Sequence, residues 1–209
     1  MTDDLVCNCG ACGFELNISI PKLSLLCACE DCLQALQWGA SKGGNSPMAL
    51  PELIYVRSDI LAVTGKKFMK AFHLREGAKS TRVYCTLCFS VLGVDHPSYR
   101  NNVFMFFKNH CQTHFNVSQQ PAAAIYLNEL TDFSKAKVPL GVPAFHSFHF
   151  PQEQARFRKI VSPTFKQSQV GAVGQSLQDV IKTLGPVKVL NLTKGKQLLS
   201  LKVTDIKSD

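Results

Sequence analysis

No apolar run in this 209-residue chain approaches the roughly 20 residues that a helix needs to cross a bilayer. The chain starts Met1-Thr2-Asp3-Asp4, acidic where a secretory leader carries positive charge, and no apolar h-region follows. Together these absences predict a reducing compartment such as the cytoplasm, and they argue against structural disulfides. No internal repeat or low-complexity segment is visible, which argues against a repeat array or a compositionally disordered chain. Acidic residues are scarce, 15 Asp/Glu against 23 Lys/Arg, for a formal charge of +8. The excess is lopsided. Residues 1–150 hold 13 Lys/Arg against 11 Asp/Glu, whereas residues 151–209 hold 10 against 4. A mild excess concentrated in the tail fits a basic solvated face.

Cysteine, by contrast, is plentiful, and seven of the nine fall into three tight clusters. They are Cys7-x-Cys9, Cys27-x-Cys29-x-x-Cys32 and Cys85-x-x-Cys88. In a reducing compartment such spacing reads as metal ligation. A structural zinc takes four ligands in a tetrahedron, with thiolates at about 2.3 Å, whereas a catalytic zinc keeps one position open. Two short pairs from opposite ends of a domain supply four ligands, and the triple cluster supplies three. The spacing therefore predicts two zinc ions, one closed and structural, one with an open position. Cys12 and Cys111 fall outside the clusters and read as small buried apolar residues, although Cys12 lies near enough in sequence to compete for a ligand position.

The hydrophobic pattern predicts a mainly β protein of short antiparallel strands pinned by metal. Residues 14–20 alternate apolar and polar and predict a half-buried strand ended by Pro21. Further β-type runs lie near 49–56, 67–74, 82–85, 89–94 and 103–107, broken by Gly, Asn and Pro. Glu30 to Trp38 predicts a short helical segment after Cys29. Residues 1–155 form the expected zinc-binding domain. Residues 156–209 form an expected small α+β extension docked on it. In that extension Ser176 to Asp179 resembles a capping box, opening a helix that uses Leu177, Val180, Ile181 and Leu184. Val187 to Leu192 and Gln197 to Val203 predict a hairpin.

These residues resemble the glutathione-dependent formaldehyde-activating enzyme family, which includes centromere-protein-V-like proteins. The resemblance rests on Cys7-Asn8-Cys9-Gly10 with Phe14-Glu15, on Cys27, Cys29 and Cys32, on Thr64-Gly65, and on Arg82-x-x-Cys85-x-x-Cys88. It is strong over residues 5–115 and weaker to about residue 150, where Pro143-Ala144-Phe145-His146 is similar to a late element of the family. Leu33 and Phe89 depart from the family's common Arg and Gly, and the first departure removes a cation near the open site. The resemblance implies a β-tent fold with two zinc ions. Cys7, Cys9, Cys85 and Cys88 would hold the structural ion, and Cys27, Cys29 and Cys32 the one that faces substrate. It also implies carbon–sulfur lyase activity, the addition of a thiol such as glutathione to formaldehyde or a related small aldehyde.

A zinc with three thiolates carries a net charge of about −1, which suits it to holding a fourth, nucleophilic thiolate more than to Lewis-acid work. The chemistry also needs a general acid to protonate the new alkoxide. His146 is the candidate acid, with a His packed at a strand end as its alternative. His73 and His96 have no evident partner, and His110 and His114 lack the second pair that a third metal site needs. Trp38 and Tyr55 are candidates for a pocket or for the core. Two other functions stay open. One is a non-catalytic zinc-binding interaction module, part of a larger assembly or contacting nucleic acid through its basic tail. The other is a thiol-redox or metal-buffering cluster. Lys182, Lys188, Lys194, Lys196, Lys202 and Lys207 are scattered through apolar segments, which argues against a nucleic-acid surface.

Overall fold

The computed structural model describes residues 4–130, 136–166 and 171–194. In chain order the strands begin β1 (Asp4–Cys7), β2 (Gly13–Leu16), β3 (Leu23–Cys27), β4 (Glu52–Arg57), β5 (Ile60–Thr64) and β6 (Met69–His73). They continue β7 (Thr81–Cys85), β8 (Val91–Asp95), β9 (Val103–Phe107), β10 (Cys111–Thr113), β11 (Ala123–Ile125) and β12 (Lys188–Val189). Three α-helices accompany them: α1 (Glu30–Ala40), α2 (Pro151–Lys166) and α3 (Leu177–Lys182). The protein is thus mainly β, with its later helices gathered near the C-terminus.

A smaller sheet has the order β10-β1-β2-β5, and a larger one β11-β3-β4-β9-β8-β7-β6-β12. Pairing is antiparallel throughout the smaller sheet and the centre of the larger one. Both outer pairs of the larger sheet, β3 with β11 and β6 with β12, are parallel. The expectation of antiparallel strands fails at these edges because β11 and β12 return from distant segments, and a parallel pair needs such a long connection.

The larger sheet is buried on both faces. Alternation sends Ile54, Val56, Val83, Phe104 and Phe106 toward Leu5, Phe14 and Leu16 of the smaller sheet. The intervening Leu53, Tyr55, Tyr84, Met105 and Phe107 pack with Ala35, Leu36 and Trp38 of α1. Three layers result, and the cysteine clusters divide between the two interfaces.

The strand expected over 14–20 stops at Leu16. A register irregularity falls between Glu15 and Leu16, and buried Asp59 then captures the chain. Its Oδ2 accepts from Asn17 Nδ2 at 2.8 Å, and its carbonyl accepts from Asn17 N at 3.0 Å. The next strand, β3, is buried at all five positions and therefore shows no alternation.

Asp59 also fastens the C-terminal extension. Its Oδ1 accepts from Val173 N at 3.1 Å and Gly174 N at 2.6 Å, and Ile60 bridges Gln175. A Cβ on Gly174 would lie 2.4 Å from the Ile60 carbonyl oxygen, so the close approach requires glycine. Burial pushes the Asp59 carboxyl up, but the Asn17, Gly174 and Val173 hydrogen bonds and nearby Arg57 outweigh it and hold the carboxyl below its usual value. Helix α3 has the expected capping box and buries Leu177, Val180 and Ile181. Helix α2 has no counterpart in the sequence expectation, although Phe157, Ile160, Val161 and Phe165 pack against the core at helical spacing. Of the expected hairpin, the first arm is reduced to β12, and Gln197 to Val203 lies outside the described residues. No helix among the described residues is long and apolar enough to cross a membrane.

Candidate metal centres

The sulfurs of Cys7, Cys9, Cys85 and Cys88 converge within 4.8 Å of one another. Cys7 ends β1 and Cys85 ends β7, so pairing within each sheet fixes one sulfur on either side of the interface. A tight turn then returns Cys9 and Cys88 to each of them. Cys7 Sγ lies 3.5 Å from Cys9 Sγ, and Cys9 Sγ lies 3.9 Å from Cys85 Sγ. A tetrahedron with sulfur at about 2.3 Å from its centre has edges of about 3.8 Å, so the donor set fits a four-thiolate metal ion. Backbone amides support the sulfurs. Cys12 N donates to Cys7 Sγ and Leu87 N to Cys85 Sγ, each at 3.4 Å. Burial pushes the Cys88 thiol up, but the Ser90 hydroxyl and backbone outweigh it and hold the value at about 6.

Two sequence features acquire reasons here. Gly65 has φ +58°, and a Cβ on it would meet the Ala11 carbonyl oxygen at 1.8 Å, so Thr64-Gly65 lets β5 pass the first cysteine turn. Phe89 has φ +54°, the left-handed conformation that glycine adopts freely. Its ring stacks on Tyr84 and meets Trp38 edge-on, an aromatic gain that offsets about 1–2 kcal/mol of backbone strain.

Cys27, Cys29 and Cys32 form the second group, again within 4.8 Å, with no fourth His, Cys or carboxylate joining them among the described residues. Cys27 ends β3, Cys29 caps α1, and Cys32 sits in its first turn. Cys29 Sγ accepts from Cys32 N at 3.4 Å, and Cys27 Sγ accepts from Cys29 N at 3.5 Å. The helix N-terminus favours negative charge at these sulfurs. Hydrogen bonds from Cys27 and then Cys32 hold Cys29 well below the usual thiol value, while the Cys29 contact pushes Cys27 well above it. Three mutually close sulfurs at a helix start are a donor set suited to a soft metal ion.

Arg82 lies on β7, three residues before Cys85, yet alternation turns the two to opposite faces. Arg82 is 2% exposed and donates to the Asp31 carbonyl at 3.4 Å and the Ser80 carbonyl at 3.3 Å. Its Nε is buried without a hydrogen-bond partner. Burial lowers its affinity for a proton, and the charges of Cys32, Asp31 and Cys29 oppose that change. One strand thus gives a ligand to the four-cysteine group and a cation to the three-cysteine group.

The three cysteines line a cleft of about 330 Å³ together with Arg82, Tyr55, Tyr99, Tyr126 and Glu129. Tyr55 and Tyr99 hydroxyls lie 3.3 Å apart, and burial pushes both phenols up. Tyr126 adopts φ +58°, a strained conformation at the cleft wall. Helix α2 contributes Phe157 and Phe165 to the cleft wall, and Lys194 also lines it.

His146, expected as the acid, is exposed and is not among the described residues that line the cleft. Its carbonyl accepts from Asn128 N at 3.1 Å, so the segment is held by backbone while the imidazole lies elsewhere. His96 does line the cleft, with Nδ1 accepting from Ser98 N at 3.1 Å; burial, then Lys79 and Arg82, lower its value. Tyr55 faces the cleft, whereas Trp38 packs with Phe72 and Tyr84 in the core. Cys12 and Cys111 are buried and belong to neither metal-binding group, and burial raises both thiols. Tyr99, Tyr126 and Glu129 carry no sequence signal, since only the fold brings them to the cysteines. All nine cysteines are free of disulfides.

No family model matches the chain, and no curated protein matches it. The resemblance to the formaldehyde-activating family rests on the sequence motifs alone.

Proposed function

We propose that the protein binds two zinc ions and catalyses the addition of a thiol to formaldehyde or a related small aldehyde, in a reducing compartment. The observation that carries this reading is the three-cysteine group, which lies in the wall of a cleft with no fourth ligand joining it among the described residues. The four-cysteine group has a closed donor set and fits a structural ion. Zinc held by Cys27, Cys29 and Cys32 would supply a position at which a substrate thiol binds and loses its proton.

The chemistry balances without an external oxidant or reductant. A carbon–sulfur bond forms, the carbonyl π bond breaks, and the oxygen takes up a proton to give a hydroxymethyl thioether. Tyr99 is the proton donor in this reading, and the Tyr55 hydroxyl 3.3 Å away orients it. Because both phenols are held up by burial, both are protonated at neutral pH. Arg82, with its unpartnered Nε, is the donor for the oxygen on which charge develops.

The test is turnover of formaldehyde by the zinc-loaded protein with a set of thiols. The Tyr99→Phe variant should lose about 10²–10⁴-fold in kcat while keeping its metal. Absence of turnover with every thiol would overturn the enzyme reading. Full activity in Tyr99→Phe would remove that residue from the mechanism.

A further inference from the structure

The cleft is too aromatic and too negative to be built around formaldehyde and an anionic thiol. Its volume of about 330 Å³ equals roughly ten waters at about 30 Å³ each. Formaldehyde has two heavy atoms, so most of that space faces another molecule. Tyr55, Tyr99 and Phe165 form one wall of three rings, with centroid separations of 5.2 to 5.5 Å. Phe157 continues the aromatic lining from the same helix. Rings of this kind recognise apolar or aromatic surface.

The charges point the same way. The lining includes Glu30, Asp31 and Glu129 as well as the three cysteines. Against these stand Arg82 and Lys194 in the lining, among the described residues, and Arg75, which pairs with Asp31 at 2.7 Å. Three thiolates outweigh the charge of one divalent ion, so the lining keeps a net negative charge. A peptide thiol with two carboxylates would have to desolvate both beside this negative surface.

We infer that the thiol substrate of the three-cysteine cleft is uncharged, with an apolar, ring-sized body that packs on the Tyr55–Tyr99–Phe165 wall. This rests on the proposed thiol–aldehyde reading and narrows it. Phe157 and Phe165 lie on α2, in the stretch where the motif resemblance has faded, so the preference is set by this chain's own C-terminal helix.

The experiment measures equilibrium binding of three probes to the cobalt-substituted protein, read by the sulfur-to-cobalt absorption. The probes are phenylmethanethiol, 2-mercaptoethanol and glutathione. Phenylmethanethiol should bind at least tenfold more tightly than either of the others. Phe165→Ala should cut that ratio about tenfold, with Phe165→Leu, which keeps an apolar side chain in the helix, giving a smaller loss in the same direction. Glutathione binding as tightly as phenylmethanethiol would overturn this inference and leave the thiol–aldehyde reading standing. A ratio unchanged in both variants would also overturn it. If no probe perturbs the cobalt spectrum, both fall.

Discussion

The two cysteine groups lie on opposite faces of one sheet and solve different problems. Cys7, Cys9, Cys85 and Cys88 come from two turns 76 residues apart in sequence, counted from Cys9 to Cys85. Each turn closes a strand, and amides and Ser90 satisfy the sulfurs from outside. The group spans the interface between the smaller sheet and the larger one. Cys27, Cys29 and Cys32 span six residues and belong to a single strand–helix junction, with Cys27 and Cys32 buried in the core. Their surroundings are a cleft, a buried arginine and a tyrosine pair. The four-sulfur set lies between the two sheets, and the three-sulfur set borders a cleft.

The largest effect that would break this comparison comes from the closed set. Cys85→Ser should lose the folded state at 37 °C, because the metal stapling of two turns supplies folding free energy directly. Circular dichroism on wild type and variant checks it. A cooperative transition within a few degrees of wild type would mean that the four-cysteine group is not a staple.

On the other face, Arg82→Met should leave secondary structure intact and weaken metal binding at the three-cysteine site about 10–100-fold, as loss of a supporting group typically does. Competition with a chromophoric chelator reads both sites at once. The four-cysteine site should keep its affinity, since alternation turns Arg82 away from it.

A smaller effect concerns the clasp that holds the extension carrying α3. The Asp59 carboxyl is depressed in the folded state. Its stabilisation is therefore fully present above the unfolded value near pH 3.9 and is lost as pH falls through the lower folded value. Asp59→Asn should lower stability by about 1–3 kcal/mol at pH 7 and flatten the loss on acidification. Parallel acid profiles of wild type and variant would contradict the assignment.

The smallest test sharpens the second cysteine turn. Phe89→Ala removes the ring and keeps the positive φ, whereas Phe89→Gly removes both ring and strain. The Gly variant should be the more stable of the two by about 1 kcal/mol in thermal unfolding. Equal stability would show that the left-handed backbone is not strained.

Much of this was legible in sequence because the signals are local. The cysteine spacings picked out both sulfur groups, β-type runs broken by Gly, Asn and Pro marked most central strands, and the capping box at Ser176 and Asp179 located α3. The misses have specific causes. The run Leu23 to Cys27 is buried throughout and lacks a period, while Pro163 inside α2 disguises a helical stripe. The cleft was harder. Tyr99, Tyr126 with Glu129, and Phe165 come from three separate segments, and no spacing rule joins them. His146 drew attention by its motif position, yet its backbone, and not its ring, is what the fold uses there.

The most direct measurement is zinc per chain in wild type and in Cys29→Ala, with circular dichroism on the same samples. The account predicts two zinc ions falling to one while the fold persists, matching the two groups of sulfurs. One zinc in both proteins would contradict it, leaving the three-cysteine cleft without a metal and the proposed chemistry without a basis.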